Sequence, residues 1–290
     1  MSNIFAFSNM MTFSEMFSDS FYMKIFSRVL IVGVLVALCA SLLGVSLVLK
    51  RFSMIGDGLS HVGFGAIALA SLISLDENFK LEFTIPIVVI AAFVLLRITE
   101  NSKIKGDSAI ALFSVSAMAI GYIIYSISGG GTADVCNNLF SSTSITSITD
   151  KDLIISIILS VIVIFLFVFF YTKIFSVTFD ENFSKATGVR PGFYNMMIAL
   201  LTAVTIVLGI RMTGAIMIPA LVVFPALTSM RFFKSFLSVV VSSAVISVVC
   251  FVIGFLVGCR LSLPTGPCVV VTNLVAFAGF SLVGKATRRV

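Results

Sequence analysis

Nine apolar runs decide what this chain can fold into. They are Val29–Leu49, Met54–Leu75, Phe83–Ile98, Ala109–Ile127, Leu153–Tyr171, Tyr194–Ile210, Gly214–Met230, Phe236–Cys259 and Pro264–Val283. Most approach the ~20 residues that an α-helix needs to cross the hydrocarbon core of a bilayer. Charged residues make up 11% of the 290-residue chain and hydrophobic ones 59%, against about 25% charged in soluble domains. Mean hydropathy is +1.17. Such a chain needs lipid as its solvent. We therefore expect an all-α, polytopic membrane protein, one transmembrane domain over 1–290, with eight or nine transmembrane helices. Phe83–Ile98 and Gly214–Met230 are short, and the second carries Pro219 and Pro225. At least one of them should be a short or broken helix, which is tolerated at membrane depth where it packs in protein or lines a cavity. Residues 1–20 are aromatic and Met-rich without Lys or Arg. They lack the basic start of a cleavable signal peptide and are expected to lie at the interface.

The formal charge of +6 does not point to nucleic acid, because the basic residues sit singly or in pairs at the ends of apolar runs. That is the pattern of topology signals. With the N-terminus outside and every run crossing, thirteen of the nineteen Lys and Arg residues fall inside, Lys50, Arg51, Arg231 and Lys234 among them. This bias favours that orientation and puts the C-terminus in the cytoplasm. Ser128–Asp152 is then a polar outer loop. Residues 172–192 form an inner loop, where Asp180, Glu181 and Asn182 suit a helix start, Gly188 a stop, and Pro191 lies just beyond. One short surface helix is expected there, fit for docking a soluble partner. Cys39, Cys136, Cys250, Cys259 and Cys268 form no CxxC and read as small buried hydrophobes.

The second run contains Asp57 and His61, the chain's one histidine. Four residues apart, they share a helix face. At 1.5 Å per residue they lie about 9 and 15 Å from Arg51, in the inner half of the bilayer. An ionised Asp near a helix centre costs about 2.5–3.5 kcal/mol on insertion scales, so it needs a partner or a water-lined path. Carboxylate oxygen and imidazole nitrogen are both ligands for divalent transition metals. Two ligands are too few to hold an ion tightly, but two copies meeting on an axis would offer four. The alternative is a helix cap at Asp57 and a packed imidazole at His61. Ser60, Thr202, Thr205 and Asn273 read mainly as hydrogen-bonding glue between helices, and Gly254 and Gly258 form a GxxxG packing motif. No GxxxxGK[ST], HExxH or GxSxG occurs. The chain therefore has no P-loop of its own with which to hydrolyse nucleotide, and two common hydrolase signatures are missing.

Five stretches, in order, resemble the membrane permease of bacterial ABC importers for zinc, manganese or iron. They are LLGVSLVLKRFSMIGDGLSH (Leu42 to His61), NLFSS (Asn138 to Ser142), FDENFSKATGV (Phe179 to Val189), GAIMIPALVVFPALTS (Gly214 to Ser229) and SLPTGP (Ser262 to Pro267). The resemblance runs from about Phe21 to Val283. It implies a homodimer in the bacterial plasma membrane, and two cytoplasmic ABC ATPase subunits that receive Phe179, Asp180, Glu181, Asn182, Phe183, Ala186, Gly188 and Val189. It also implies an extracytoplasmic binding protein that delivers the ion. Asp57 and His61 would contact the transported Zn2+, Mn2+ or Fe2+, with no permanently bound cofactor. Some members place a proline two or three residues after the His. Here Val62, Gly63, Phe64 and Gly65 follow, and the chain resembles zinc-type members slightly more than manganese-type ones. The competing reading is an ATP-independent divalent-cation transporter or channel, which leaves Phe179–Val189 without a task.

Overall fold

The computed structural model describes residues 20–73, 77–101, 106–129, 135, 139, 150–261 and 263–286. The first nineteen residues, Cys136, and all of Asn138–Ser142 except Leu139 lie outside the described residues, and so does the interfacial reading of the N-terminus. Eleven helices are described: α1 Ser20–Leu49, α2 Ile55–Leu72, α3 Glu77–Asn101, α4 Gly106–Ile127, α5 Asp150–Phe169, α6 Tyr171–Phe179, α7 Glu181–Ala186, α8 Pro191–Thr213, α9 Met217–Met230, α10 Phe236–Leu261 and α11 Thr265–Ala286. Seven are long and apolar enough to cross a membrane, and the pair α5–α6 makes an eighth. The shorter apolar helix α9 accounts for the remaining run, Gly214–Met230.

Two sequence expectations change. Phe83–Ile98 is not short: polar residues extend it at both ends, and α3 runs for 25 residues with Pro86 inside it. The fifth run does not end in an irregular loop. The chain bends by 68° after Phe169 and continues as α6, with Ile174 and Val177 buried and Phe175 and Phe179 exposed. This one-sided pattern makes α6 amphipathic, and the inner segment therefore holds two helices rather than one.

The expectation for Gly214–Met230 agrees with the structure. At 14 residues, α9 is about 21 Å long, short of a ~30 Å core. Gly214 breaks it from α8 with φ of 81°, a conformation that favours glycine. Pro219 falls in the first turn of α9, where a missing N–H costs little. The backbone N–H of Ile216 donates to the carbonyl of Leu139, at 3.4 Å, so Leu139 meets the start of this helix. Met217, Leu221, Val222 and Ala226 are buried, as a short intramembrane helix requires.

Close backbone approach fixes the core. A Cβ on Gly44 of α1 would lie 2.1 Å from the Val222 carbonyl oxygen of α9, and one on Gly254 of α10 would lie 2.6 Å from Cα of Val269 on α11. The GxxxG motif is thus an internal seam between α10 and α11. The expected hydroxyl glue is mostly absent. Ser60, Thr202, Thr205 and Asn273 each donate to a carbonyl three or four residues back in their own helix, the nearest acceptor for a short polar side chain. Bonds between helices come instead from Ser247 to the Ala37 carbonyl and Cys39 to the Ser160 carbonyl. Outward faces are apolar, with Leu112, Val115, Ile127 and Leu282 strongly exposed. We expect Gly44→Ala to force α1 and α9 apart at a cost of about 1–3 kcal/mol, seen as a lower melting temperature in detergent. Gly279→Ala, where nothing lies within 4 Å, should leave that temperature unchanged.

Candidate functional site

Three glycines let α2 sit tightly among its neighbours. Gly58 and Gly65 turn one face toward Ile110 and Ala117 of α4, while Gly63, on the same side as Gly56, turns another toward Ile210 of α8. Asp57 and His61 project between these faces. Asp57 is not the helix cap. That position is Met54, which makes no side-chain capping bond, and Asp57 stands in the first turn. A carboxylate there faces the positive end of the helix dipole.

The pair is joined as its spacing predicts. His61 Nε2 lies 3.5 Å from Asp57 Oδ1, and Ser114 Oγ of α4 donates to Asp57 Oδ2 at 3.2 Å. The Asp57 side chain is 39% exposed in the single chain and that of His61 17%. His61 Nδ1 is buried without a hydrogen-bond partner among the described residues. A carboxylate open at membrane depth does not face hydrocarbon. The arrangement brings together one carboxylate, one imidazole, and a hydroxyl that orients the carboxylate. No group of three or more His, Cys, Asp or Glu suited to a metal occurs among the described residues. Just beyond His61, Phe64 stacks on Tyr125 with ring centroids 5.5 Å apart.

The second candidate region is built around α7. Asp180 caps it, Oδ1 accepting from the N–H groups of Asn182 and Phe183, both at 2.9 Å. Gly188, with φ of 81°, closes it in a Schellman turn: Val189 N–H donates to Ser184 O and Gly188 N–H to Lys185 O. The expected start and stop residues therefore hold the roles their types suggested. The eight residues named from sequence divide by direction. Phe179 and Phe183 are each 60% exposed, and Asn182 and Ala186 are also exposed. Phe179 and Phe183, with Phe175 and Val189, border an open apolar groove of about 330 Å³. Asp180 and Gly188 shape the helix ends.

Glu181 turns inward. Its Oε1 accepts from Lys50 Nζ at 3.0 Å and from Asn195 Nδ2 at 3.1 Å, and Lys50 also donates to Asn195 Oδ1. Partial burial pushes the Glu181 carboxyl up. The hydrogen bonds from Asn195 and Lys50 and the charges of Lys50 and Lys185 outweigh it, leaving the group below the usual carboxylate value. The stabilisation from this pairing is thus present above the ordinary glutamate pKa and fades as pH falls through the lowered one.

Sequence reasoning missed Ser114, Lys50 and Asn195. Lys50 was visible only as a topology signal, and Ser114 as a small polar residue in an apolar run. Nothing in the sequence says which helix either would meet.

The chain is similar to known proteins over most of its length. The chain is 31% identical over 245 residues to a probable metal transport system membrane protein of Thermotoga maritima, covering 84% of this chain and 85% of the relative. It is 27% identical to the manganese import system permease protein ScaB of Streptococcus gordonii, covering 86% and 87%. Its fold matches a solved structure of PsaBC from Streptococcus pneumoniae in complex with a Fab, with TM-score 0.78 and 25% identity, over 92% of this chain and 93% of that one. A family model, the ABC 3 transport family, matches residues 22–284, and the chain belongs to that family.

Proposed function

We propose that this protein is the multi-pass membrane permease of an ATP-driven importer of a divalent transition metal. The observation that carries the reading is the Asp57–His61 pair: two metal-ligating side chains at membrane depth, open on one side and oriented by Ser114. Two copies of the chain facing each other would supply two carboxylates and two imidazoles, enough to neutralise and coordinate a 2+ ion. An extracytoplasmic binding protein releases the ion to the outer face. ABC ATPase subunits dock in the cytoplasm on the groove bordered by Phe179 and Phe183, and supply the hydrolysis for which this chain has no P-loop. The inner loop and the C-terminus are then cytoplasmic. Zinc is the first cargo to test, beside manganese and iron, because first-row ions share these ligands. A channel working without ATP would leave the exposed aromatic surface of α6–α7 unused.

Radiometal uptake in cells lacking and then regaining the gene tests the reading. We expect loss of one metal, restored by wild type and reduced more than about tenfold in Asp57→Asn and His61→Ala. Both proteins should still reach the membrane in normal amount. Wild-type uptake in both variants would remove the pair from the pathway.

The docking half of the reading has its own test. Asp180→Ala removes two capping bonds from a six-residue helix, worth about 0.5–2 kcal/mol. Faster amide exchange over residues 181–186 and weaker co-purification of the ATPase are expected. Unchanged exchange would show that the cap does not hold α7.

A further inference from the structure

Lysine at a helix end normally lays its stem along apolar surface and lifts its ammonium into water. Lys50 does the opposite. Its side chain is only 7% exposed, and its ammonium is enclosed between the Glu181 carboxylate of α7 and the Asn195 amide of α8. Asn195 closes the triangle by donating to the same Glu181 oxygen. Three side chains, one from the turn after α1 and one each from α7 and α8, thus meet at a single point. Leu47, Phe52, Ile55, Leu96 and Ile198 surround a void of only about 10 Å³ there, so the lysine stem has little room to move independently of the start of α2.

The backbone around Lys50 is equally tied down. Arg51 has φ of 61° and is the one described non-glycine residue with positive φ. It closes α1 in a Schellman turn, with Arg51 N–H donating to Val48 O at 3.1 Å and Phe52 N–H to Leu47 O at 2.8 Å. Left-handed backbone costs a non-glycine residue about 1–2 kcal/mol, so the surrounding bonds must hold this turn in one shape. Ile55 N–H then donates to Phe52 O and Gly58 N–H to Met54 O, which joins the turn to the first turn of α2. Asp57 is in that first turn.

We propose that the Lys50–Glu181–Asn195 triad is the link through which α7 positions the start of α2, and with it the Asp57–His61 pair. This rests on the permease reading above, with α7 as the ATPase-docking helix. The outward face of α7 receives the push and the inward-facing Glu181 passes it to Lys50. From there it travels through a rigid turn rather than a flexible loop. Lys50, Glu181 and Asn195 are positioning residues and do not touch the ion.

The test uses the full complex of permease, ATPase and binding protein in proteoliposomes, with ATP hydrolysis and radiometal uptake measured together. Lys50→Gln removes the charge from a side chain that lies off the docking face. We expect ATPase co-purification to persist and metal moved per ATP to fall at least about fivefold. The charge exchange K50E/E181K should recover most of that ratio. Glu181→Gln, at a half-exposed position, reads the same ratio if Lys50→Gln fails to insert. The proposal is overturned if the ratio is unchanged in the single variants. It is also overturned if hydrolysis and uptake fall together, as loss of a passive brace would give, or if the charge exchange is no better than its parents. A wild-type complex that moves no metal would instead sink the permease reading itself, and this inference with it.

Discussion

A carboxylate inside a membrane-spanning bundle has to be held by something other than lipid, and the arrangement around Asp57 follows from that constraint. The helix dipole of α2 and the Ser114 hydroxyl stabilise its charge, and His61 completes the local set. These groups converge because α2 lies very close to α4 and α8, and Gly58, Gly63 and Gly65 permit that approach. A β-carbon at Gly63 would come 2.3 Å from Ile210 Cδ1. Wider spacing would move α4, and with it Ser114, away from the carboxylate. Small residues where helices approach closely are thus what make the polar chemistry of α2 geometrically possible.

The turn just before α2, at the same end of the bundle as Asp57, obeys a different constraint. Water is available there, so polar groups need not be paired, yet Lys50, Glu181 and Asn195 are. The apolar groups point the other way: Phe179 and Phe183 are exposed where nothing requires it. Phe175 and Phe179 both pack on Phe236 of α10, with centroids 5.2 and 5.9 Å apart, so this aromatic surface is braced against a long helix. A rigid apolar face outside the hydrocarbon region is the signature of a protein contact, while the inverted polar triad ties that face to the interior.

Much of this was legible in the sequence, and the reasons are physical. Apolar run length reports crossing helices because the bilayer sets the length. Asp180, Gly188 and Pro191 report the edges of the α7 segment because capping, left-handed φ and a fixed first-turn φ are local demands met by particular side chains. The i, i+4 spacing of Asp57 and His61 fixes their common face for the same reason. What stayed hidden was non-local. The bend after Phe169 has no proline or glycine to announce it. Ser114 lies 57 residues from Asp57, and Lys50 131 from Glu181. Hydroxyls such as Thr202 and Thr205 were misassigned because a helix offers them an acceptor in their own preceding turn, which outcompetes a neighbouring helix.

In the permease reading proposed above, a site with two ligands from each copy has a physical reason. A site that must release its ion on every cycle cannot be a closed tetrahedral cage, since conduction and transport need binding weak enough to leave. If two copies share the ion, as proposed, affinity depends on how those copies are set relative to each other. A small displacement at the start of α2 then changes coordination directly, because Asp57 sits in the first turn of that helix. On this proposal metal affinity is tied to the turn that the Lys50 triad grips.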